Sequence, residues 1–543
     1  MKTRLGTVCF LLLSSLVSAW GQSRENFHTL LTRQVRSPKV AGPQHLRDYT
    51  REGKLQLGLR DAILLTLENN SAIRVDEAQV ETAKFALLRT YQPFDPMLQS
   101  LNFVNRASYP GYSLIQGGPG TFNQLTHQGQ LGYSQTFPTG TNIQVSLQGD
   151  RSSNTSGFDF INPNWNTNLQ LQFTQPLLKD RWRFENRAPI VIARSNLQQS
   201  RAFFESQVNV ALFRMIGQYW DVVRARGFLD VSQKSMEAAQ ATYEHDKRAL
   251  ELGALPPLDI YRSEAEVASR RVQVIQGEYQ LKQAEDALRF TIGADQDNYI
   301  APLDLDLTEN PEPAGELKVI DIGTALQEAM QKRPDMEAAR QALEGDDVNV
   351  RLAQNHLQPD LSLMAFYQSN GIGGNQYSLV NPGQLVSPGG LGTSLNQLFG
   401  FGYPGYGATL TLKLPVRNRA AQAELGTALA GRHRDLYADQ QVREQITLDV
   451  SNAVHQLEQS KLTLEAGKTA LDLAEKTLGA EKRKYDLGSQ PIFFLLDSQN
   501  RVAEARQALL RAQIDYQNAL AFVDYATGTM LQTYQVQVSD LSK

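Results

Sequence analysis

The chain has 543 residues with 53 basic and 57 acidic side chains, a formal charge of −4. That balance offers no basic face to a nucleic-acid backbone, so no nucleic-acid partner is expected. Past the N-terminus no run approaches the roughly 20 apolar residues of a spanning helix, so membrane passage would have to use strands.

Residues 1–21 read as a signal peptide. Lys2 and Arg4 precede an apolar core of Val8 to Leu13, Leu16 and Val17, followed by the small residues Ser18, Ala19 and Gly21. Cys9, the single cysteine, lies inside this segment, so the mature chain would carry no disulfide, and its context is not that of a lipid-attachment site. Residues 22–58, with His28, Pro38, Pro43 and His45, read as a flexible N-terminal periplasmic extension or equatorial segment.

A first repeat is expected over 59–298. A helix runs near Arg60 to Tyr91, ended by Pro93 and Pro96. A strand block follows over 96–176, then a helical hairpin over 188–293. Its long helix reaches about Leu252. The tip Gly253-Ala254-Leu255-Pro256-Pro257 closes one helix with glycine and opens the next with proline. The acidic, proline-containing stretch 299–319 reads as a solvated linker between repeats. A second repeat over 320–530 has its strand block at 359–415 and its helical hairpin at 419–528, turning at Gly488 to Pro491. Residues 531–543 form a C-terminal tail.

The repetition is visible at a single offset of 235 positions, which matches Thr242 with Thr477, Lys247 with Lys482, Gly253 with Gly488, Ser263 with Ser498 and Gly293 with Gly528. Heptads agree independently. Val208, Met215, Val222 and Leu229 fall on Arg443, Val450, Leu457 and Leu464. Small residues such as Ala211, Ala225 and Ala239 lie three positions further on, a coiled-coil-like seam that lets neighbouring helices approach. A long helix of about 65 residues would span ~98 Å, close to the summed length of the two shorter helices.

The strand blocks differ in chemistry. From Leu361 to Leu412 there is no Asp, Glu, Lys or Arg, where the chain average of 20% charged residues would put about ten. From Met97 to Leu178 only Arg106, Asp150, Arg151 and Asp159 are charged. Ile143, Val145 and Leu147 alternate with Asn142, Gln144, Ser146 and Gln148; Leu169, Leu171 and Phe173 alternate with uncharged polar residues; so do Ala408, Leu410 and Leu412. Segments apolar on one face and uncharged on the other suit the staves of a closed barrel in lipid. The minimum is four strands per chain, and Pro138-Thr139-Gly140 could turn an extra hairpin, giving six; neither number closes a wide pore alone. The Gly/Pro-rich stretches 110–120 and 371–405 read as extracellular loops.

Over about residues 55 to 530 this pattern resembles the TolC-like outer-membrane efflux family. The resemblance is carried by Leu57-Gly58-Leu59-Arg60-Asp61-Ala62 with Glu68-Asn69-Asn70, by Gln175-Pro176-Leu177, by Tyr219-Trp220 and by both Leu-Gly tips. It implies a membrane α+β fold: a duplicated repeat of long coiled-coil helices and β-hairpins. It further implies a homotrimer sharing a 12-stranded β-barrel, continued by a periplasmic α-helical barrel. It implies residence in the outer membrane, with outer-membrane lipid, a periplasmic adaptor protein and an inner-membrane pump as partners, and a passive exit duct for efflux or type I secretion.

The resemblance also implies a gate at the helix tips. By position from the tip glycines, Asp259 and Asp497 match its ring-forming aspartates and Tyr485 its tyrosine. Gln490 stands at a position open to arginine in the family, and Phe494 replaces an aspartate, so an apolar constriction could substitute for a charged one. A threefold ring of carboxylates would attract cations. Nothing points to catalysis, a metal or a cofactor. The seven histidines are scattered, and Gly371-Ile372-Gly373-Gly374 lacks the flanks of a nucleotide turn. The competing reading, a non-pore cell-envelope coiled-coil scaffold or adhesin, shares the heptads but leaves the uncharged strands unexplained.

Overall fold

The computed structural model describes residues 42–111, 120–156, 159–252, 257–313, 315–378, 380–381, 383–487 and 489–536. In chain order the elements are β1 (Thr50–Arg51), β2 (Lys54–Leu57), α1 (Leu59–Asn69), α2 (Ser71–Arg89), β3 (Met97–Pro110), β4 (Thr121–Thr136), β5 (Asn142–Asn154) and β6 (Ile161–Pro176). Then come α3 (Arg183–Glu251), α4 (Pro257–Thr291), β7 (Asp304–Leu307), α5 (Ile322–Lys332), α6 (Pro334–His356) and β8 (Asp360–Tyr377). The last are β9 (Leu385–Ser387), α7 (Leu391–Phe399), β10 (Pro404–Lys413), α8 (Arg419–Asp486), α9 (Ile492–Thr527) and α10 (Met530–Thr533). The described residues form two compact units, one of 85–194 and 345–432, the other of 42–84, 195–344 and 433–536.

The first unit is built on one antiparallel sheet in the order β10-β8-β6-β5-β4-β3, with the short β9 paired to β8. Its register aligns the alternation strand by strand. One row crosses all six long strands through Leu98, Tyr133, Val145, Leu171, Tyr367 and Tyr406. The adjoining position on the other face runs through Gln99, Gly132, Ser146, Gln170, Gln368 and Gly405. A slip of one residue in any strand would put that strand's apolar side chains on the polar face, so the pattern fixes the register. The edge strand β3 alternates less strictly: Leu98 and Val104 lie on the apolar face, while Met97, Leu101 and Phe103 pair opposite Ser134, Gln130 and Gln128 of the polar one.

The extra hairpin is real. Phe137 N donates to Thr141 O and Gly140 N to Phe137 O, closing a tight turn between β4 and β5. Gly140 has φ +79°, and a Cβ there would meet Asp180 O and Pro176 Cγ at 2.7 Å, so only glycine fits. The four strands per chain that a 12-stranded trimeric barrel requires are thus corrected to six long strands among the described residues. The reading of 371–405 as loop is corrected too. β8 continues to Tyr377, and α7 lies across it. The glycines are there for clearance: a Cβ on Gly371 would sit 2.0 Å from Ser394 O.

The second unit is helical, with two cores. One gathers Val208, Leu212, Met215 and Val222 of α3 with Leu288 and Ile292 of α4 and Ile63 and Leu65 of α1. The other gathers Val450, Leu457 and Leu464 of α8 with Ala512, Tyr516 and Val523 of α9 and Ala325 and Ala329 of α5. Each repeat's heptad seam thus anchors one of the two cores, and the first core also takes in Ile514 and Ala521 of α9.

Three expectations change in this unit. The helix expected over 60–91 is two helices. Asn70 leaves the helix at φ −68°, ψ 117°, and its Oδ1 accepts from Ala72 N at 2.9 Å, so it caps α2 while ending α1. The second repeat breaks at the same place by another route, because Arg333 precedes Pro334 and is driven extended. The last stretch of the N-terminal extension is not loose, and the 299–319 linker is not only solvated. β2 pairs in parallel with β7, burying Leu55, Leu57 and Leu305. Tyr219 locks this sheet from beneath: its hydroxyl donates to Leu57 O at 3.1 Å and accepts from Glu309 N at 3.3 Å. Burial pushes that hydroxyl well above the ordinary tyrosine range.

Candidate functional site at the helix ends

The C-terminal turns of α3 and α8 meet in one polar contact inside the second unit. Asp246 is on α3, with its side chain wholly buried. Tyr485, the last heptad residue of α8, donates its hydroxyl to Asp246 Oδ1 at 2.6 Å. His245 Nδ1 lies 3.4 Å from the same oxygen, and its ring meets Tyr485 edge to face at 5.8 Å. The second carboxylate oxygen, Oδ2, has no hydrogen-bond partner among the described residues. A buried carboxylate held closely by a phenol and only loosely by an imidazole is a sensitive joint, since the shorter bond supplies most of its compensation.

The turn from α8 into α9 is closed by backbone and hydroxyl bonds. Ser489 N and Oγ both donate to Lys484 O, at 3.0 and 2.9 Å. Pro491, exposed, then occupies the cap of α9 at φ −63°. The first turns of α9 divide by face. Ile492, Leu495 and Ser498 are buried. Phe493 and Phe494 are 57% and 45% exposed and contact each other edge to face, so an aromatic pair stands open at the end of the hairpin. Asp497 lies one turn on from Phe494, on the same open side, and its Oδ2 accepts from Arg501 Nε at 2.8 Å.

The structure thus brings Tyr485, Phe494, Asp497, Gln490 and Pro491 to one end of the α8–α9 hairpin, with Gln490 half-buried in the turn. Asp259 falls in the first turn of α4 and Pro257 begins that helix; their side chains lie outside the described residues, as do Gly253, Pro256 and Gly488. Asp497 is ion-paired within its own helix rather than standing as a bare charge. Sequence reasoning missed Asp246 and Arg501. The signal for Asp246 was present. Tyr485 replaces Leu250 at the matching heptad position of the first repeat, and a hydroxyl set on an apolar seam needs a partner.

Residues 136–294 and 325–529, more than half of the chain, match the family described as outer membrane efflux protein. The outer membrane protein TolC of Vibrio cholerae is 22% identical over 338 residues, covering 62% of this chain and 72% of that protein. Among solved structures, CusC superposes with a TM-score of 0.63 at 16% identity, covering 91% of this chain and 99% of its own. The Campylobacter jejuni outer membrane channel CmeC gives 0.62 at 15% identity, covering 94% and 93%. The open-state MtrE outer membrane channel of Neisseria gonorrhoeae gives 0.58 at 19%, covering 92% and 98%. At these identities the structural likeness establishes the fold, a mixed α+β arrangement of long helices and strands.

Proposed function

This chain belongs to the outer membrane efflux protein family, and we propose that it is one subunit of a homotrimeric exit duct fed by an inner-membrane pump through a periplasmic adaptor. It is an outer-membrane protein with a large periplasmic portion, and a channel component rather than an enzyme. The observation that carries the duct reading is the six-strand row from Leu98 to Tyr406, apolar on one side and backed by glutamine, serine and glycine on the other. A face of that kind belongs against hydrocarbon, and its reverse against water.

Among the described residues, the outer edges of β3 and β10 have no strand partner. Unsatisfied backbone groups in hydrocarbon cost several kcal/mol each, which favours pairing of β3 with β10 of a neighbouring copy. Three copies with six long strands each would contribute 18 staves, not 12. The helix ends would then form the gate, with Tyr485–Asp246 holding α3 to α8 and Asp497 with Phe494 facing the passage. The purified protein in planar bilayers tests this: discrete conductance steps together with a crosslinked trimer support it. A monomer without conductance, which a scaffold or adhesin would give, overturns it.

A further inference from the structure

We propose that α7 is an in-plane interfacial helix, fixed to the outer wall of the barrel and seated in the headgroup region of the outer leaflet. The occupant of its free face is lipid. The inference rests on the outer-membrane setting and adds to it a second lipid-contacting element besides the strands.

The side of the sheet on which α7 lies is settled by geometry. Ser394 Oγ is 2.6 Å from Thr167 Oγ1 and donates to Gly371 O at 2.9 Å. Ser369 Oγ donates to Leu398 O at 2.6 Å. Thr167, Ser369 and Gly371 alternate in register with Leu169, Leu171 and Tyr367, so α7 covers the apolar face and not the polar one. Phe401, just after the helix, turns back onto the same face and meets the Tyr367 ring at 6.2 Å. It does so at φ +52°, a left-handed backbone that a bulky side chain adopts only when its surroundings impose it.

The height is set by the strands. The connections to α3, α6 and α8 and the short 137–141 turn share one end of the sheet, and 111–120, 155–160 and 378–403, two of them long, share the other, which matches the periplasmic and extracellular arrangement of such barrels. From Gln175 to Thr167 is eight residues of β6. At about 3.4 Å per residue and a tilt near 40° that is roughly 20 Å of height, close to the ~25 Å apolar band of outer-membrane barrels. α7 therefore lies where that band gives way to headgroups.

Its chemistry fits that level. The segment 361–412 carries no charged side chain. Ser394 and Leu398 face the sheet and are buried, the open side of α7 carries the uncharged Gly392, Thr393, Asn396 and Phe399, and Phe399 with the following Phe401, Tyr403 and Tyr406 remain 58%, 51%, 59% and 81% exposed. Four exposed aromatics beside an uncharged helix, continuous with a lipid-facing wall, form an aromatic belt segment rather than a soluble surface. Glycines at 371 and 373 let the helix backbone close onto the strand: a Cβ at Gly373 would meet Gly390 O at 2.2 Å.

Site-directed spin labelling of the full chain in outer-membrane lipid vesicles tests the assignment, with Cys9, the only native cysteine, replaced by alanine. Labels at Phe399→Cys, Leu171→Cys and Gln170→Cys report on the helix, the apolar wall and the polar face. The expected result at Phe399 is an oxygen-to-nickel-chelate collision ratio several-fold above that at Gln170 and below that at Leu171. A Phe399 label as open to the nickel chelate as Gln170, with Leu171 still in lipid, overturns the inference alone. A Phe399 label shielded from both reagents also overturns it, because protein would then be the cover. If Leu171 itself reads as aqueous, the membrane placement of the sheet fails and the inference with it. Ser394→Val, which removes the bonds to Thr167 and Gly371, should raise the mobility of the Phe399 label while leaving that at Leu171 unchanged.

Discussion

Tyr485 and Asp246, 239 positions apart in the chain, are joined by a 2.6 Å hydrogen bond from the phenol to a carboxylate with no solvent exposure. A hydrogen bond to a charged group contributes about 2 kcal/mol, and its loss leaves a buried carboxylate largely uncompensated. Tyr485→Phe should therefore loosen the α3–α8 ends, lower the thermal midpoint of the helical circular dichroism, and raise single-channel conductance. Asp246→Asn keeps an acceptor for the phenol without a buried charge and should be milder on both readouts. A Tyr485→Phe protein with unaltered midpoint and conductance would show that the contact neither stabilises nor gates.

A different pair of helices is clamped by Arg333. Its Nε and Nη2 bond both oxygens of Asp335 at 3.1 and 2.7 Å, and its Nη1 bonds Asp449 at 2.9 Å. Burial works against the positive charge, but the hydrogen bonds and attraction of the two aspartates outweigh it, so the guanidinium is held above its ordinary value. Arg333→Met would leave two partly buried carboxylates without their partner and should cost about 3 kcal/mol in denaturant unfolding. Arg333→Lys keeps the charge but not the planar fork, and should fall between.

The repeat is written in backbone as well as in side chains. Gly293 and Gly528, matched by the 235-residue offset, end α4 and α9 at φ +73° and +72°. Each abuts the break between its repeat's two short helices. A Cβ would meet Asn69 Cβ at 2.8 Å in the first and Arg333 N at 3.1 Å in the second. Alanine at either position carries about 1–2 kcal/mol of left-handed strain, plus the displacement of that neighbour. Urea midpoints should fall for both variants, and more for Gly293→Ala. Equal stability to the parent would mean that the chain reroutes there freely.

The ordered end of the N-terminal extension carries a proton-dependent tie. His45 Nδ1 lies 2.9 Å from Glu68 Oε2. The hydrogen bond that the imidazole donates to Glu68, then the charge of that carboxylate, raise the imidazole above 6.5. A base raised on folding contributes its stability below the unfolded value and loses it as pH climbs through the folded one. Amide exchange in β1 and β2, corrected for its intrinsic pH dependence, should be slower at about pH 6 than at about pH 8.5, a window that brackets an ordinary histidine. Glu68→Gln should flatten the difference.

What could be read in the sequence follows the range of the forces involved. Heptad spacing and period-two alternation are local, and they placed α8 and α9 and the apolar sides of β5, β6 and β10. Stop signals were read well where glycine or proline supplied them. The Asn70 break was missed because its cause is a side-chain cap and a bond from Asn70 Nδ2 to Thr291 O, 221 residues away. The β2–β7 pairing was missed for a similar reason. Lys-Leu-Gln-Leu and Asp-Leu-Asp-Leu alternate visibly, but four residues are too few to stand out without their distant partner. Glycines 371–374 signalled a loop, whereas Gly371 and Gly373 let a helix dock on a strand and Gly374 lets that strand approach Pro163 of β6.

Asp497 was expected to act as a ring of bare charge, and its Arg501 partner changes what its removal should do. The pair is exposed and one turn apart, so it is worth only about 0.3–0.5 kcal/mol. Asp497→Ala should leave stability nearly untouched. It leaves Arg501 uncompensated, so each subunit gains one positive charge beside Phe494. Threefold repetition would bring three such charges to the passage. The expected outcome is a reversal potential shifted toward anions, weaker block by divalent cations, and a shift that shrinks at high salt. Asp497→Ala combined with Arg501→Ala restores the charge balance and should return selectivity most of the way, whereas Phe494→Ala should change conductance more than selectivity. An unchanged reversal potential in Asp497→Ala would remove this carboxylate from the gate and leave the aromatic pair as its working part.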